Sequence, residues 1–469
     1  MTDKNKQKNI WISLAILFAA YVVIFLLVWL FNISQFKGEN VTQKSITYAG
    51  LLIMTFLGMA YYSLMSSKKV LMQIRKCGAL AVTMVLSYAI MEIFAELLNL
   101  YYLIPYSICA LLGATLIDSR TSFFANINLV VIFFASLLLF GEVNSADLYF
   151  VLFAGLFSSI LSAYSTTPNM IRTKYILIGL VLGISSTLFA LTTYLMFNVV
   201  FVAKQFFINV GTAFTSGFFT IMLLFLFMPL LEKIFGLVTN FKLNELTSTN
   251  QPLLKRLLTE APGTFNHSLT VSNYVEACAS AIGANPIVAR AVAYFHDVGK
   301  LKNPLYFVEN QSGVNPHDEL TPEASVLAIK KHVLYGYTLA KEYDLPQEIC
   351  QGILEHHGTM PIKYFYLKAK KLTDGELPYD SYSYEGPKPS TKISAILMIC
   401  DACEAALRAS GDKNNASLIV NKVVQERMEF EQFNECDISM QEIEIVKSTI
   451  LTTYLGFKHK RIAYPDVKM

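Results

Sequence analysis

The feature that most constrains this chain is a succession of apolar runs before residue 232, each near the roughly 20 residues that a helix needs to cross a bilayer core. They fall at Ile10 to Ile33, Ile46 to Met65, Gly78 to Leu98, Tyr101 to Ile117, Phe123 to Phe140, Leu148 to Tyr164, Tyr175 to Val199 and Phe206 to Leu231, which predicts eight spans. The first is longer than a signal-peptide core, lacks a small-residue cleavage site and follows Lys4, Lys6 and Lys8, so it reads as a retained helix. A hydrophobic content of 54% against 16% charge agrees, and most of the excess lies in this half. The expectation is an all-α, polytopic helical membrane domain over 1–231, an amphipathic connector over 232–262 and a polar domain over 263–469.

Charge orients the spans. Loops on one side of an eight-span bundle carry Lys68, Lys69, Arg75, Lys76, Arg120, Arg172 and Lys174 besides the basic N-terminus, whereas the other side carries Lys37, Lys44 and Lys204 with Glu142 and Asp147. The positive-inside rule then places both termini in the cytoplasm. Glu92 and Glu96 lie four apart near the end of the third span, a position that assigns them to the membrane interface rather than to a ligand or proton site. Gly179, Gly183, Gly211 and Gly217 predict close helix packing.

Seven cysteines show no secreted disulfide framework. Cys400 and Cys403 form a lone CxxC inside an apolar helix, which is a core-packing pattern. A net charge of +3 is accounted for by topology, so no nucleic-acid polymer is implied as a partner.

The polar half concentrates metal-capable side chains. His267, His296, Asp297, His332, His356, His357 and Asp401 supply five imidazoles and two carboxylates on segments with helical periodicity, so a helical bundle would bring them together from separate elements. Imidazole with carboxylate suits a first-row transition metal. The set is too large for one tetrahedral ion. A pair of divalent ions sharing a carboxylate fits it, and such a pair can activate a bridging water while clamping a phosphodiester. Asp401, alone in an apolar helix, would be a costly buried charge without a cation beside it. Caps are expected from Thr264, Thr321 and Ser390 or Thr391, with Pro252, Pro322 and Pro346 opening helices.

These residues carry a resemblance. His267, His296-Asp297 and Asp401 match the H…HD…D pattern of the HD hydrolase superfamily. The segments NQPLLKRLLTEAPGTFNHS, AYFHDVGK, YFVENQ, NPHDELTPEAS, LEHHGT and YEGPKPSTK resemble the PgpH-type membrane HD family of cyclic-di-AMP phosphodiesterases across about residues 240 to 409. The resemblance implies hydrolysis of cyclic-di-AMP to 5′-pApA with two divalent metal ions, manganese or iron in preference to zinc. It implies Asp297 as the bridging ligand, with His267, His296 and Asp401 completing one site and His332, His356 and His357 the other. Lys300 would meet a phosphate oxygen. His317 has no ligand role and would order its loop with Asp318; Thr359, Tyr379, Tyr382 and Tyr384 are candidates to shape the nucleotide pocket. The cyclic-di-GMP-cleaving HD-GYP enzymes share ligands, but their GYP signature is absent after His357.

Two departures stand out. About eleven residues, Ser34 to Lys44, replace the large external domain usual between the first two spans, and Asn266 stands where another histidine is common. The rival readings are a nucleotide-sensing receptor without turnover and a phosphohydrolase of cyclic-di-GMP or another nucleotide. A second copy of the chain is kept as a candidate partner.

Overall fold

The structure is a computed structural model that describes residues 3–32, 40–166, 172–197, 202–372, 377–411 and 414–457. Among these residues the regular structure is helical, and the one β-contact is an isolated antiparallel bridge between Pro361 and Ser383. The chain divides into two compact units, Met1–Phe241 and Lys242–Met469.

The first unit contains α1 (Asp3–Phe31), α2 (Val41–Ser66), the short α3 (Lys68–Leu71), α4 (Ile74–Glu92) extended by a π-helical turn Ile93–Leu97, and α5 (Ile108–Leu116). There follow α6 (Ser119–Phe140), α7 (Ser145–Ser165), α8 (Arg172–Met196) and α9 (Ala203–Phe235). Seven of these have the length and apolarity to cross a membrane. The fourth expected span is not a continuous helix. Pro105 forces Ile104 into an extended conformation, ψ 129°, and α5 proper has only nine residues, about 14 Å of rise.

Its ends can nevertheless be placed by their bonds. Tyr102 donates its hydroxyl to Asp147 at the start of α7, 3.0 Å away. Farther along, Asn126 of α6 accepts from the Ala110 amide at 3.2 Å and donates to the Tyr106 carbonyl at 3.0 Å, so the backbone groups freed by the break are bonded. At the far end, Gly113 meets Ser122, near the start of α6. Thr121 in turn lies 2.6 Å from Ser67, between the basic α3 and the end of α2. The segment 101–117 thus runs from the end of the bundle where α7 starts to the end where α6 starts.

Close packing is strongest between α8 and α9. A Cβ on Gly217 would fall 2.1 Å from the Gly179 carbonyl oxygen and 2.4 Å from the Gly183 nitrogen, so these three glycines let the two backbones touch, as the sequence predicts. Gly211 faces open space and has no such part. α9 also runs unbroken through the boundary drawn at residue 231, and the expected connector begins as its last turn. Glu92 departs from its interfacial assignment: it is fully buried.

The second unit continues through α10 (Asn240–Leu246) and α11 (Pro252–Glu260) to α12 (Pro262–Ala281), α13 (Pro286–Phe295), α14 (Pro322–Glu342), α15 (Gln347–Glu355), α16 (Lys363–Lys370), α17 (Lys392–Ser410), α18 (Ala416–Glu429) and α19 (Met440–Phe457). Thr321 and Thr391 cap α14 and α17 as expected, each accepting from the backbone amide three residues on. Thr264 does not cap α12. It sits inside the first turn, and Asn310 accepts from its amide at 3.1 Å.

Candidate metal centre

Each candidate ligand is delivered by a helix or a helix end: His267 by α12, His296-Asp297 by the turn after α13, His332 by α14, His356-His357 by the turn after α15, and Asp401 by α17. Gly299 makes the convergence possible. A Cβ there would lie 1.8 Å from the His332 carbonyl oxygen, so any larger residue would push α14 away from the His-Asp turn. The close approach is to a helix backbone, not to a ligand.

Two groups of ligand atoms result. Asp297, His332, His356 and His357 form one, and His267, His296 and Asp297 form the other, each within 4.8 Å mutually. Asp297 belongs to both and turns one oxygen toward each. Its Oδ2 lies 3.5 Å from His267 Nε2 and 3.2 Å from His296 Nε2, while Oδ1 lies 3.4 Å from His332 Nε2 and 3.8 Å from His356 Nε2. Asp401 joins the first group, with Oδ1 at 2.9 Å from His267 Nε2 and 3.7 Å from His296 Nε2, and its Oδ2 reaches toward His357 Nδ1 at 3.9 Å. All seven expected ligands are therefore in one cluster.

Three imidazoles are anchored by their outer nitrogens. Nδ1 of His296, His332 and His356 lies 2.6 to 2.7 Å from the carbonyl oxygen three residues earlier, so in each ring Nδ1 donates to the backbone and Nε2 is the nitrogen turned into the cluster. His267 Nδ1 is directed instead at the Glu404 carboxylate, 2.7 Å away. Although fully buried, His296 Nε2 and Asp297 Oδ1 have no hydrogen-bond partner. Unsatisfied buried donors and acceptors of this kind are costly, and a cation between them removes the cost. The donor set thus fits a pair of divalent metal ions.

Electrostatics divide the two groups. Burial, then the neighbouring imidazoles, pushes His356 down to about 3 and lowers His357, while burial lowers His332; these rings stand neutral, as metal ligands must. In the other group burial favours neutral histidine, but Asp297 and Asp401 outweigh it and raise His296 to about 10. Those carboxylates call for positive charge. Burial opposes ionisation of Asp297, yet Lys300 and His296 hold it well below the usual carboxylate range.

Lys300 is not directed at open space. Its Nζ is paired at 2.7 Å with both Asp297 Oδ2 and Glu309 Oε1. Of the pocket candidates, Tyr384 is close: its ring stacks on His357 with centroids 4.2 Å apart. Tyr382 instead bonds Glu323 and Tyr379 stacks on Phe430. Gln432 accepts from the Thr359 amide at 2.9 Å and donates to its hydroxyl. His317 is outside the cluster, 2.9 Å from the Tyr306 carbonyl oxygen, and serves its loop. Cys400 packs against Cys278 in the core.

Sequence reasoning missed Glu404 and Glu309. Glu404 had a signal, since it follows Asp401 by three residues on one helical face. Glu309 stands in the YFVENQ segment that carries the resemblance, but nothing in its spacing tied it to Lys300, because a turn of 3₁₀ helix in an irregular loop carries it across.

Family models match along the chain in the same order as the two units. "7TM receptor with intracellular HD hydrolase" matches residues 44–239 and "HD domain" matches 264–406. The chain belongs to the membrane HD hydrolases. Among them, it is 40% identical over 375 residues to the cyclic-di-AMP phosphodiesterase PgpH of Listeria monocytogenes, covering 79% of this chain and 51% of that one. It is 32% identical over 429 residues to PgpH of Bacillus subtilis, covering 89% and 60%. The chain therefore spans about half to three-fifths of these relatives' length. The crystal structure of the L. monocytogenes PgpH HD domain in complex with cyclic-di-AMP is 46% identical, with 45% of this chain and all of that one covered and a TM-score of 0.44. This membrane HD hydrolase is accordingly a multi-pass protein.

Proposed function

We propose that this membrane HD hydrolase is a metal-dependent phosphodiesterase that opens cyclic-di-AMP to 5′-pApA. The observation that carries the proposal is Asp297, a buried carboxylate with one oxygen toward each of two ligand groups. The substrate comes from the PgpH relatives, which are named for it.

In this reading His267, His296, Asp297 and Asp401 hold one divalent ion and Asp297, His332, His356 and His357 the other, manganese or iron by ligand type. Bound there, the pair supplies an acidified water and electrophilic assistance to the phosphodiester. The chain's own residues do the rest. The three backbone-anchored histidines keep their lone pairs aimed inward, and Glu404 fixes the His267 ring. Lys300 keeps Asp297 anionic; to meet a phosphate oxygen it would have to leave Glu309, so we assign it first to positioning the bridge. Tyr384, stacked on His357, offers an aromatic face at the edge of the cluster.

In the same proposal the chain makes eight crossings, with the segment 101–117 as the fourth, which would leave the N-terminus and the hydrolase unit on one side. Asn9 donates to the Met72 carbonyl and Ser13 to that of Leu71, so α1 starts at the basic end where α9 finishes beside Gly78. The basic loops assign that side to the cytoplasm.

The direct test is to purify the full chain in detergent, load it with Mn²⁺ or Fe²⁺, and offer cyclic-di-AMP and cyclic-di-GMP in parallel. Conversion of the first to pApA with the second cut poorly is expected. Two bound ions and no turnover of either nucleotide would sink the reading in favour of a receptor.

A further inference from the structure

Glu92 sits in the membrane unit with 0% exposure, at the point where α4 passes into a π-helical turn, a local distortion frequent at functional sites. Its Oε1 accepts from the Tyr88 hydroxyl at 2.6 Å and from the Ser136 hydroxyl of α6 at 3.1 Å, and Tyr88 is in turn 3.1 Å from the Tyr48 hydroxyl of α2. Three helices therefore bring four oxygen-bearing side chains together. The other carboxylate oxygen, Oε2, is fully buried and has no partner.

Among the described residues no cationic side chain acts on this carboxylate. The titratable groups near it are Tyr48, Tyr88, Tyr101 and the half-buried Glu96, one turn farther along the chain. Between Asn9 and Phe140 the basic residues are Lys37, Lys44, Lys68, Lys69, Arg75, Lys76 and Arg120; Lys37 lies outside the described residues, and the others are at helix ends or in the short α3. An uncompensated carboxylate inside a membrane protein is expensive, and such residues mark proton and ion sites. Since every donor is oxygen, the fitting ligand is a hard cation, and one carboxylate balances one positive charge.

We propose that Tyr48, Tyr88, Glu92 and Ser136 form a binding site for a small monovalent cation, a proton or an alkali-metal ion. The site lies toward the ends of α2, α4 and α6 remote from the basic α3: Tyr48 follows Val41 by seven residues, Glu92 is the last residue of α4, Ser136 precedes Phe140 by four, and Glu96 lies one turn beyond Glu92. It is independent of the hydrolytic metals.

The test uses the full chain in detergent, with two readouts. Infrared difference spectroscopy follows the stretch of a protonated carboxyl group; thermal unfolding is compared in sodium, potassium and choline chloride. For a proton, the stretch titrates within the physiological range and is lost in Glu92→Gln. For an alkali ion, sodium or potassium raises the melting temperature by a few degrees over choline, and Glu92→Gln loses the rise. A stretch that never titrates, together with equal melting in all three salts, overturns the site. Should Glu92→Gln fail to fold, Tyr88→Phe removes only one hydroxyl donor and must displace the titration or weaken the ion response; unchanged behaviour there overturns it equally.

Discussion

At the scale of single residues, the centre depends on how a few side chains are held. Asp297→Asn keeps the shape but removes the charge shared by both groups, and we expect activity to fall at least about 100-fold with loss of bound metal. Normal metal content and rate in this variant, measured by elemental analysis and pApA release, would remove Asp297 from its bridging role. Glu404→Ala tests a subtler effect. It frees the His267 ring from its 2.7 Å contact, so metal affinity should drop about 10- to 100-fold while the fold survives. Metal titration followed by circular dichroism separates the two. The ligands themselves were legible in the sequence because adjacent His-Asp and His-His pairs are chemically unusual, and a lone Asp in an apolar helix demands a partner. Glu309 was not, since nothing in the spacing of a loop says that it will fold back on Lys300. The environment of Lys300 was illegible for the same reason.

At the scale of elements, helices were readable from apolar periodicity and from their Pro and Thr starts, while the fourth span shows where such reading stops. Hydropathy sees the run Tyr101 to Ile117 as one crossing and passes over Pro105 inside it; the asparagine on another helix that makes the break tolerable is a long-range fact. Asn126 bonds the Ala110 amide, the Tyr106 carbonyl and the Ser159 hydroxyl. Its replacement by Leu leaves two backbone groups unpaired in an apolar setting, a loss of about 2 to 4 kcal/mol. Asn128→Leu, by contrast, removes only a bond to its own helix, at the Phe124 carbonyl, and should be much milder. Thermal unfolding of the two variants in detergent makes the comparison; equal losses would mean that the broken segment does not depend on Asn126. The burial of Glu92 was misread at this same scale, because nearness to a helix end says nothing about which neighbours cover it.

At the scale of the whole molecule, the count of crossings decides where the hydrolase unit works. Seven long helices taken alone would separate the N-terminus from the hydrolase unit, whereas in the proposed topology the broken segment adds an eighth passage and would bring them to one side. The family description agrees with the larger number, since the seven-span match begins at residue 44 and so excludes α1. The seven passages after α1 then need the 101–117 segment as one of their number. Under the proposed topology the charge of the loops makes that side the cytoplasm. Reporters that are active only inside the cell, fused in separate chains to the N-terminus and to the C-terminus, should both be active. A reporter placed between α1 and α2 should be silent. One active terminus and one silent terminus would mean an odd number of crossings, and the segment 101–117 would then have to turn back to the face it left, against the bond that ties Tyr102 to α7 and the close packing of Gly113 on Ser122 at the start of α6.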